Sequence, residues 1–140
     1  MQIVYAATAT ATGGREGSAK SDDGKLSVKL STPKEMGGAG GDGTNPEQLF
    51  ASGYSACFLG AMKYVAAQEK IALPTEPTVT AKVGIGPNPA GVGFAIDVDL
   101  DVDLGDMERS AAEALVDKAH LVCPYSNATR GNIRVDIAVK

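Results

Sequence analysis

Between Phe94 and Leu104 the chain changes character at almost every step. Phe94, Ile96, Val98, Leu100, Val102 and Leu104 alternate with Asp97, Asp99, Asp101 and Asp103. A period of two places one set on each side of an extended backbone, so the stretch predicts a strand with an apolar face and an acidic, solvated one. The same period recurs over Gln2–Thr12, over Lys25–Leu30 with Leu26, Val28 and Leu30 on one side, and over Val79–Ile85. It returns over Asn132–Val139, where Ile133, Val135, Ile137 and Val139 fall together. Gly13-Gly14 turns the chain after the first strand, Arg15–Ser21 is expected to run back as a second, and Asp22-Asp23-Gly24 has the composition of a hairpin turn. Ser31–Thr44 reads as a mobile, glycine-rich, lid-like loop. Its Gly38-Ala39-Gly40-Gly41-Asp42-Gly43 fits a dinucleotide-binding spacing. No apolar strand runs into it and the chain lacks alternating βαβ units, so that motif match is weak.

Two stretches follow a different rhythm. Asn45–Lys70 starts with a residue suited to capping a helix, then Pro46, which needs no N–H at the first helical position. Glu47 puts negative charge on the positive end of the helix dipole, and Gln48 stands where a capping-box partner stands. From Leu49 to Met62 there is no charge, and small or apolar residues run round every side, which predicts a helix buried all round. Asp106 is expected to cap a second helix, Met107–Val122, with Leu115, Ala119 and Val122 on its apolar side. Cys123-Pro124 ends it, because proline disfavours helix in the residue before it. The order β-β-β-α-β-β-α-β, with no repeat or linker, predicts an α+β fold in one domain over residues 1–140.

Composition narrows the function more than the fold. A chain of 140 residues is one domain, able to bury roughly 68% of its unfolded surface. Its net charge of −4 lacks the basic footprint of a nucleic-acid surface. The run Leu49–Ala67 is long enough to raise a membrane span, but Lys63, Gly53, Gly60 and its serines favour a core helix. The N-terminus has no basic region ahead of an apolar one, so no secretory signal is expected. With only two cysteines this points to the cytoplasm, where a disulfide is more often catalytic or redox-sensing than structural. The aspartates of the acidic strand form an extended ladder that does not converge on calcium. Two cysteines with the single, distant His120 fall short of a tetrahedral metal set. Neither a metal nor a cofactor is therefore expected, and His120 reads as a helix C-terminal residue.

Cys57 lies in the middle of the long helix and Cys123 at a helix end. On the residues alone two readings stand: small buried hydrophobes, or a reactive thiol with a resolving partner. A free thiol has a pKa of ~8.5, and burial raises it further. A reactive Cys57 therefore needs a cation supplied by the fold. One guanidinium at ~4 Å and an effective dielectric of ~20 supplies about 4 kcal/mol, in order of magnitude two or three pKa units.

Four separated segments then fall into a pattern: Gly13-Gly14-Arg15-Glu16-Gly17, the run Gly40 to Leu49, Gly53-Tyr54-Ser55-Ala56-Cys57-Phe58, and His120-Leu121-Val122-Cys123-Pro124-Tyr125-Ser126. In order, and over essentially the whole chain, they resemble the organic hydroperoxide resistance (Ohr) branch of the Ohr/OsmC family. Glu16 stands where Asp or Asn is expected. The resemblance implies the OsmC-like fold, a peroxidatic Cys57, a resolving Cys123, and an active site holding Arg15 and Glu47, with Glu47 orienting Arg15. It implies an organic hydroperoxide as substrate and a lipoyl dithiol, dihydrolipoamide or its carrier protein, as reductant. Without it, Arg15 reads as a surface strand residue and Glu47 as a carboxylate stabilising the dipole. An OsmC-branch peroxidase with another peroxide preference and a non-catalytic cysteine sensor remain as alternatives. Phe50, Phe58, Met62 and Phe94 are candidates to line an apolar pocket for the organic group, each equally suited to the core.

Glu47 and Cys57 are ten residues apart on one helix. That is about 15 Å along the axis and about 80° off a common face, so one copy does not bring both to one peroxide. An intertwined two-fold homodimer is expected, its central helices crossing near Ser52-Gly53, where Ala51, Ser52, Gly53 and Ala56 permit close approach.

Overall fold

The two-residue rhythm does build strands, though not everywhere it occurs. The computed structural model describes residues 1–74 and 76–140. Its contacts divide the chain into two units, Met1–Leu49 and Phe50–Lys140. In the first, β1 (Ala9–Thr12), β2 (Ser18–Ser21) and β3 (Ser27–Lys29) form an antiparallel sheet in that order, with Thr12 opposite Ser18 and Ser18 opposite Lys29. The first strand is shorter than its alternation suggests. Before β1, the Thr8 carbonyl accepts the Asp22 N–H at 3.0 Å, while Met1, Ile3, Val4 and Tyr5 stand exposed. Alternation states which side chains share a face; it does not supply a neighbouring strand.

Arg15 is not in a strand. Gly13 and Gly14 take φ of 71° and 57°, a backbone that favours glycine, and the chain makes a tight turn over Gly14–Glu16 that presents Arg15. The glycine-rich loop is closed at its base. Ser31 N–H donates to the Thr44 carbonyl and Thr44 N–H to that of Lys29, both at 2.9 Å, and Gly43 N–H donates to Ser31 Oγ at 3.0 Å. Its two ends are stitched to each other.

The long helix α1 runs Pro46–Glu69. Asn45 caps it as expected, its Oδ1 accepting the Gln48 N–H at 2.9 Å, while the Gln48 side chain accepts from the Thr44 hydroxyl at 2.7 Å. Tyr54, Phe58, Ala61, Met62, Val65 and Ala66 are buried. The opposite side, Ser52, Ala56, Gly60, Lys63 and Ala67, is exposed, so the single chain does not bury this helix all round. Those positions recur every three or four residues and form one open stripe.

In the second unit β5 (Phe94–Asp103) lies between β4 (Thr78–Pro87), antiparallel to it, and β6 (Val135–Val139), parallel to it. A parallel neighbour requires a crossover, here made by α2 (Arg109–Val122) and α3 (Pro124–Thr129). Val98, Leu100 and Val102 have no exposed surface and pack with Phe58, Met62, Leu115 and Ala119. The aspartates face the other way. Arg134 pairs with Asp97 at 3.0 Å, Asp99 at 2.9 Å and Asp136, and Lys140 pairs with Asp101 at 3.2 Å. The ladder is thus an outer face on which two cations partly offset four carboxylates.

The expected order of strands and long helices holds, with α3 added before β6. Three local expectations do not hold. Glu108, not Asp106, caps α2, its carboxylate accepting from Ser110 N–H at 3.0 Å and Ala111 N–H at 2.9 Å. Met107 N–H closes a turn on the Leu104 carbonyl, which delays the helix start. Val122 is 41% exposed rather than on the apolar side. Cys123-Pro124 ends α2, but proline also suits a first helical position, and the chain re-enters helix at once. Among the described residues no helix is long and apolar enough to cross a membrane.

Candidate functional site

Cys123 is held from both sides because it closes one helix and opens the next. Its N–H donates to the Ala119 carbonyl at 2.8 Å and its carbonyl accepts from Asn127 N–H at 2.9 Å. Its side chain is fully buried and faces α1, where Cys57 is half-buried. Both thiols are free, and the two sulfurs are 3.6 Å apart. A disulfide bond measures about 2.05 Å, so closure asks for a movement of roughly 1.5 Å, within reach of side-chain rotation.

Burial pushes the Cys57 thiol up from its ordinary value, and the neighbouring Cys123 adds to that; the backbone N–H of Tyr125, in the first turn of α3, works the other way. None of these influences is a cation. In the single chain Cys57 therefore faces Cys123 in surroundings that oppose its ionisation. Tyr125 gave no such signal in the sequence, because its contribution comes from the backbone of a helix that follows a proline.

The charge is elsewhere. Arg15, on its glycine-built turn, donates to both carboxylate oxygens of Glu47 at 2.7 and 2.6 Å, in the fork geometry that makes such pairs strong. The side chains are 32% and 14% exposed. The Arg15 bond holds the Glu47 carboxyl below the usual carboxylate range, with partial burial opposing it, and the same bond raises Arg15. The expected partnership of these two residues is met within one chain.

A third cluster escaped the sequence altogether. The hydroxyl of Tyr54, fully buried, lies 2.9 Å from Ser126 Oγ and 3.2 Å from Thr129 Oγ1. Thr129 in turn donates to the Tyr125 carbonyl at 3.0 Å. Beside it the Tyr125 ring lies over the α1 backbone. A Cβ on Gly53 would sit 2.9 Å from the Tyr125 hydroxyl, so the small residue at 53 makes room for that ring.

The four apolar candidates are not brought together. Phe58 and Met62, one turn apart, face the sheet and have no exposed surface. Phe94 is 77% exposed at the end of β5, opposite Pro87 and beyond the reach of the core. Phe50 lines an apolar cavity, about 280 Å³, with Ile96, Tyr125, Ala128 and Ile133. It packs edge-on against Tyr54 at 5.9 Å and against Tyr125 at 5.7 Å between ring centres. His120 lies 6.5 Å from the Phe58 ring with its Nδ1 buried and unpartnered among the described residues. Burial and then Arg130 depress its pKa, with Asp117 opposing, so the imidazole is neutral near pH 7. Among the described residues no three His, Cys, Asp or Glu side chains gather as a metal site would need.

Residues 38–138 match the family model described as OsmC-like protein. The organic hydroperoxide resistance protein of Xanthomonas axonopodis pv. citri (strain 306) is 60% identical over 138 residues, which covers 99% of this chain and 96% of that protein. Among solved structures, the organic hydroperoxide resistance protein OsmC of Legionella pneumophila is 45% identical with a TM-score of 0.93, covering 99% of each chain. The organic hydroperoxide resistance protein OhrB of Bacillus subtilis is 43% identical with a TM-score of 0.89, covering 99% of this chain and 100% of its own.

Proposed function

The chain belongs to the OsmC-like family, in its organic hydroperoxide resistance branch, and from that premise we propose that it is a thiol peroxidase reducing organic hydroperoxides to alcohols. The observation that carries the reading is the 3.6 Å separation of two free sulfurs on separate helices. The Cys57 thiolate attacks the outer oxygen of R–O–OH. The O–O bond breaks, the sulfur takes the hydroxyl as a sulfenic acid, and R–O⁻ leaves to be protonated to the alcohol. Cys123 then displaces the hydroxyl, giving water and a Cys57–Cys123 disulfide. A lipoyl dithiol reduces that disulfide by exchange and is itself oxidised, which suits the reducing cytoplasm. The organic group is taken up by the cavity that Phe50 and Tyr125 line, since Tyr125 also turns its N–H to Cys57.

Burial alone leaves Cys57 protonated, so the peroxidase needs a cation, and Arg15 is that cation in this reading. Arg15 is held on Glu47, and Glu47 is separated from Cys57 by about 15 Å of helix. The Arg15–Glu47 pair therefore acts on the Cys57 of a second copy, in a two-fold homodimer with two composite sites. The exposed apolar arm of Met1, Ile3, Val4 and Tyr5 and the open stripe of α1 supply surface for that partner.

The test pairs two dead variants. Cys57→Ser and Arg15→Ala each lose peroxide consumption, but mixing and refolding them together restores it, because one site of a mixed dimer keeps both groups. If the mixture stays as inactive as its parts, the composite site is wrong. Turnover with excess dihydrolipoamide distinguishes a peroxidase from a cysteine sensor, which is spent after one equivalent. Preference for a bulky alkyl hydroperoxide over hydrogen peroxide separates this branch from an OsmC-type enzyme.

A further inference from the structure

The buried hydroxyls beside the sulfurs have no part in the chemistry above. Tyr54 and Ser126 have no exposed surface, and in an apolar core a phenylalanine fills the same space without a polar group to satisfy. Their placement follows that of the cysteines. Tyr54 precedes Cys57 by three residues on α1, and Ser126 follows Cys123 by three, so each hydroxyl stands one helical turn from a sulfur. The helix carrying Ser126 and Thr129 has six residues, too few to hold itself in water. Along the chain it is tied to α2 through Cys123 N–H and the Ala119 carbonyl at 2.8 Å, and to the segment before β6 through Ile133 N–H and the Thr129 carbonyl at 3.1 Å. Neither tie joins it to α1. The 2.9 Å and 3.2 Å contacts of the Tyr54 hydroxyl do.

We infer that Tyr54 is a positioning residue whose hydroxyl, bonded to Ser126 and Thr129, clamps α3 against α1 and so keeps Cys123 within closing distance of Cys57. The inference rests on the reading of these cysteines as a peroxidatic and resolving pair. In the closing step the Cys123 sulfur attacks the Cys57 sulfenic sulfur. The S–S bond forms, the S–O bond breaks, and hydroxide leaves with the Cys123 proton as water. Cys57 is reduced from the sulfenic state and Cys123 is oxidised. A second hydroperoxide competes for the same sulfenic sulfur and carries it to the sulfinic acid. A clamp that keeps the sulfurs together decides that competition in favour of closure.

The test separates the clamp from the peroxidase. The Cys57–Cys123 disulfide is first equilibrated with mixtures of reduced and oxidised dithiothreitol, which needs no peroxide. Tyr54→Phe keeps the ring and removes the hydroxyl, and its disulfide-forming constant is expected to fall roughly five- to ten-fold, the population shift available from one buried hydrogen bond. Ser126→Ala is expected to lower it by less, because the Tyr54–Thr129 contact remains, and the double variant no further than Tyr54→Phe, which already removes both contacts. With excess cumene hydroperoxide, Tyr54→Phe consumes the first equivalent within about two-fold of the parent rate but accumulates more sulfinic Cys57, by about the factor lost in closure. A lower melting temperature with an unchanged constant and an unchanged sulfinic fraction overturns the clamp. If Tyr54→Phe does not fold, the Ser126→Ala constant decides alone. A parent protein that forms the disulfide with dithiothreitol yet ignores the hydroperoxide overturns the peroxidase reading, while the constants still judge the clamp.

Discussion

The sulfur pair and the ion pair are set in very different surroundings. Around Cys57 and Cys123 the sheet face of Val98, Leu100 and Val102 is sealed by Phe58, Met62 and Leu115, and Cys123 is bonded by two helices. Around Arg15 and Glu47 the sheet is thin. All four residues of β1 are exposed, and β2 and β3 bury no side chain fully. The packed region fixes a distance but penalises charge, since burial raises the Cys57 thiol. The open region carries a strong guanidinium–carboxylate fork and leaves surface uncovered. A nucleophile needs both a fixed position and a stabilised negative charge, and the proposed reaction draws one from each region.

The largest break in that comparison is Cys57→Ser. It removes the proposed nucleophile and should lower peroxide consumption by about a thousand-fold or more, measured as loss of cumene hydroperoxide, without lowering the melting temperature appreciably. Next comes the packing itself. Phe58→Ala should cost about 3–5 kcal/mol in urea unfolding, whereas Thr10→Ala, exposed on β1, should stay within about 0.5 kcal/mol. Equal costs would remove the distinction between the two regions. Arg15→Ala should slow the second-order reaction by about a hundred-fold at pH 7 and raise the thiolate titration of Cys57 by about two pH units, read by absorbance at 240 nm.

The smallest effects lie in acid. Glu47 is held below its ordinary value of 4.5, so its contribution to stability is complete above that pH and is lost as pH falls through the folded value. Glu47→Gln should therefore flatten the acid limb of the stability curve. His120 is held below its ordinary 6.5, mainly by burial, so the unfolded chain takes up a proton that the folded one refuses. Stability should decline as pH drops below 6.5, and His120→Gln should remove that part of the decline.

Elements with a strong local signature were legible in the sequence. The acidic strand, the Asn45 cap and the stop at Cys123-Pro124 are each fixed by side chains within a few residues. Residues 2–8 have the composition of a strand, but a strand needs a neighbour, and composition names none. Arg15 falls at the start of the expected second strand, but the turn begun by the left-handed Gly13 and Gly14 continues through it, and the sequence does not mark where that turn ends. The pairing of Arg15 with Glu47 and the role of each cysteine came from resemblance, not from spacing. The Tyr54–Ser126–Thr129 cluster joins residues more than seventy positions apart, and a hydrogen bond of that reach leaves no periodic trace. The lining of the apolar cavity was not legible for a related reason: aromatic residues on a helix and a strand do not say which of them the sheet will cover.

In the proposed cycle two sulfurs meet after one peroxide has been spent. Reduced protein treated with a single equivalent of cumene hydroperoxide, then alkylated, digested and weighed, should give one peptide joining Cys57 to Cys123, with one cumyl alcohol released per link. Recovery of both cysteines alkylated beside unspent hydroperoxide, or of Cys57 joined to the Cys57 of another copy, would contradict it.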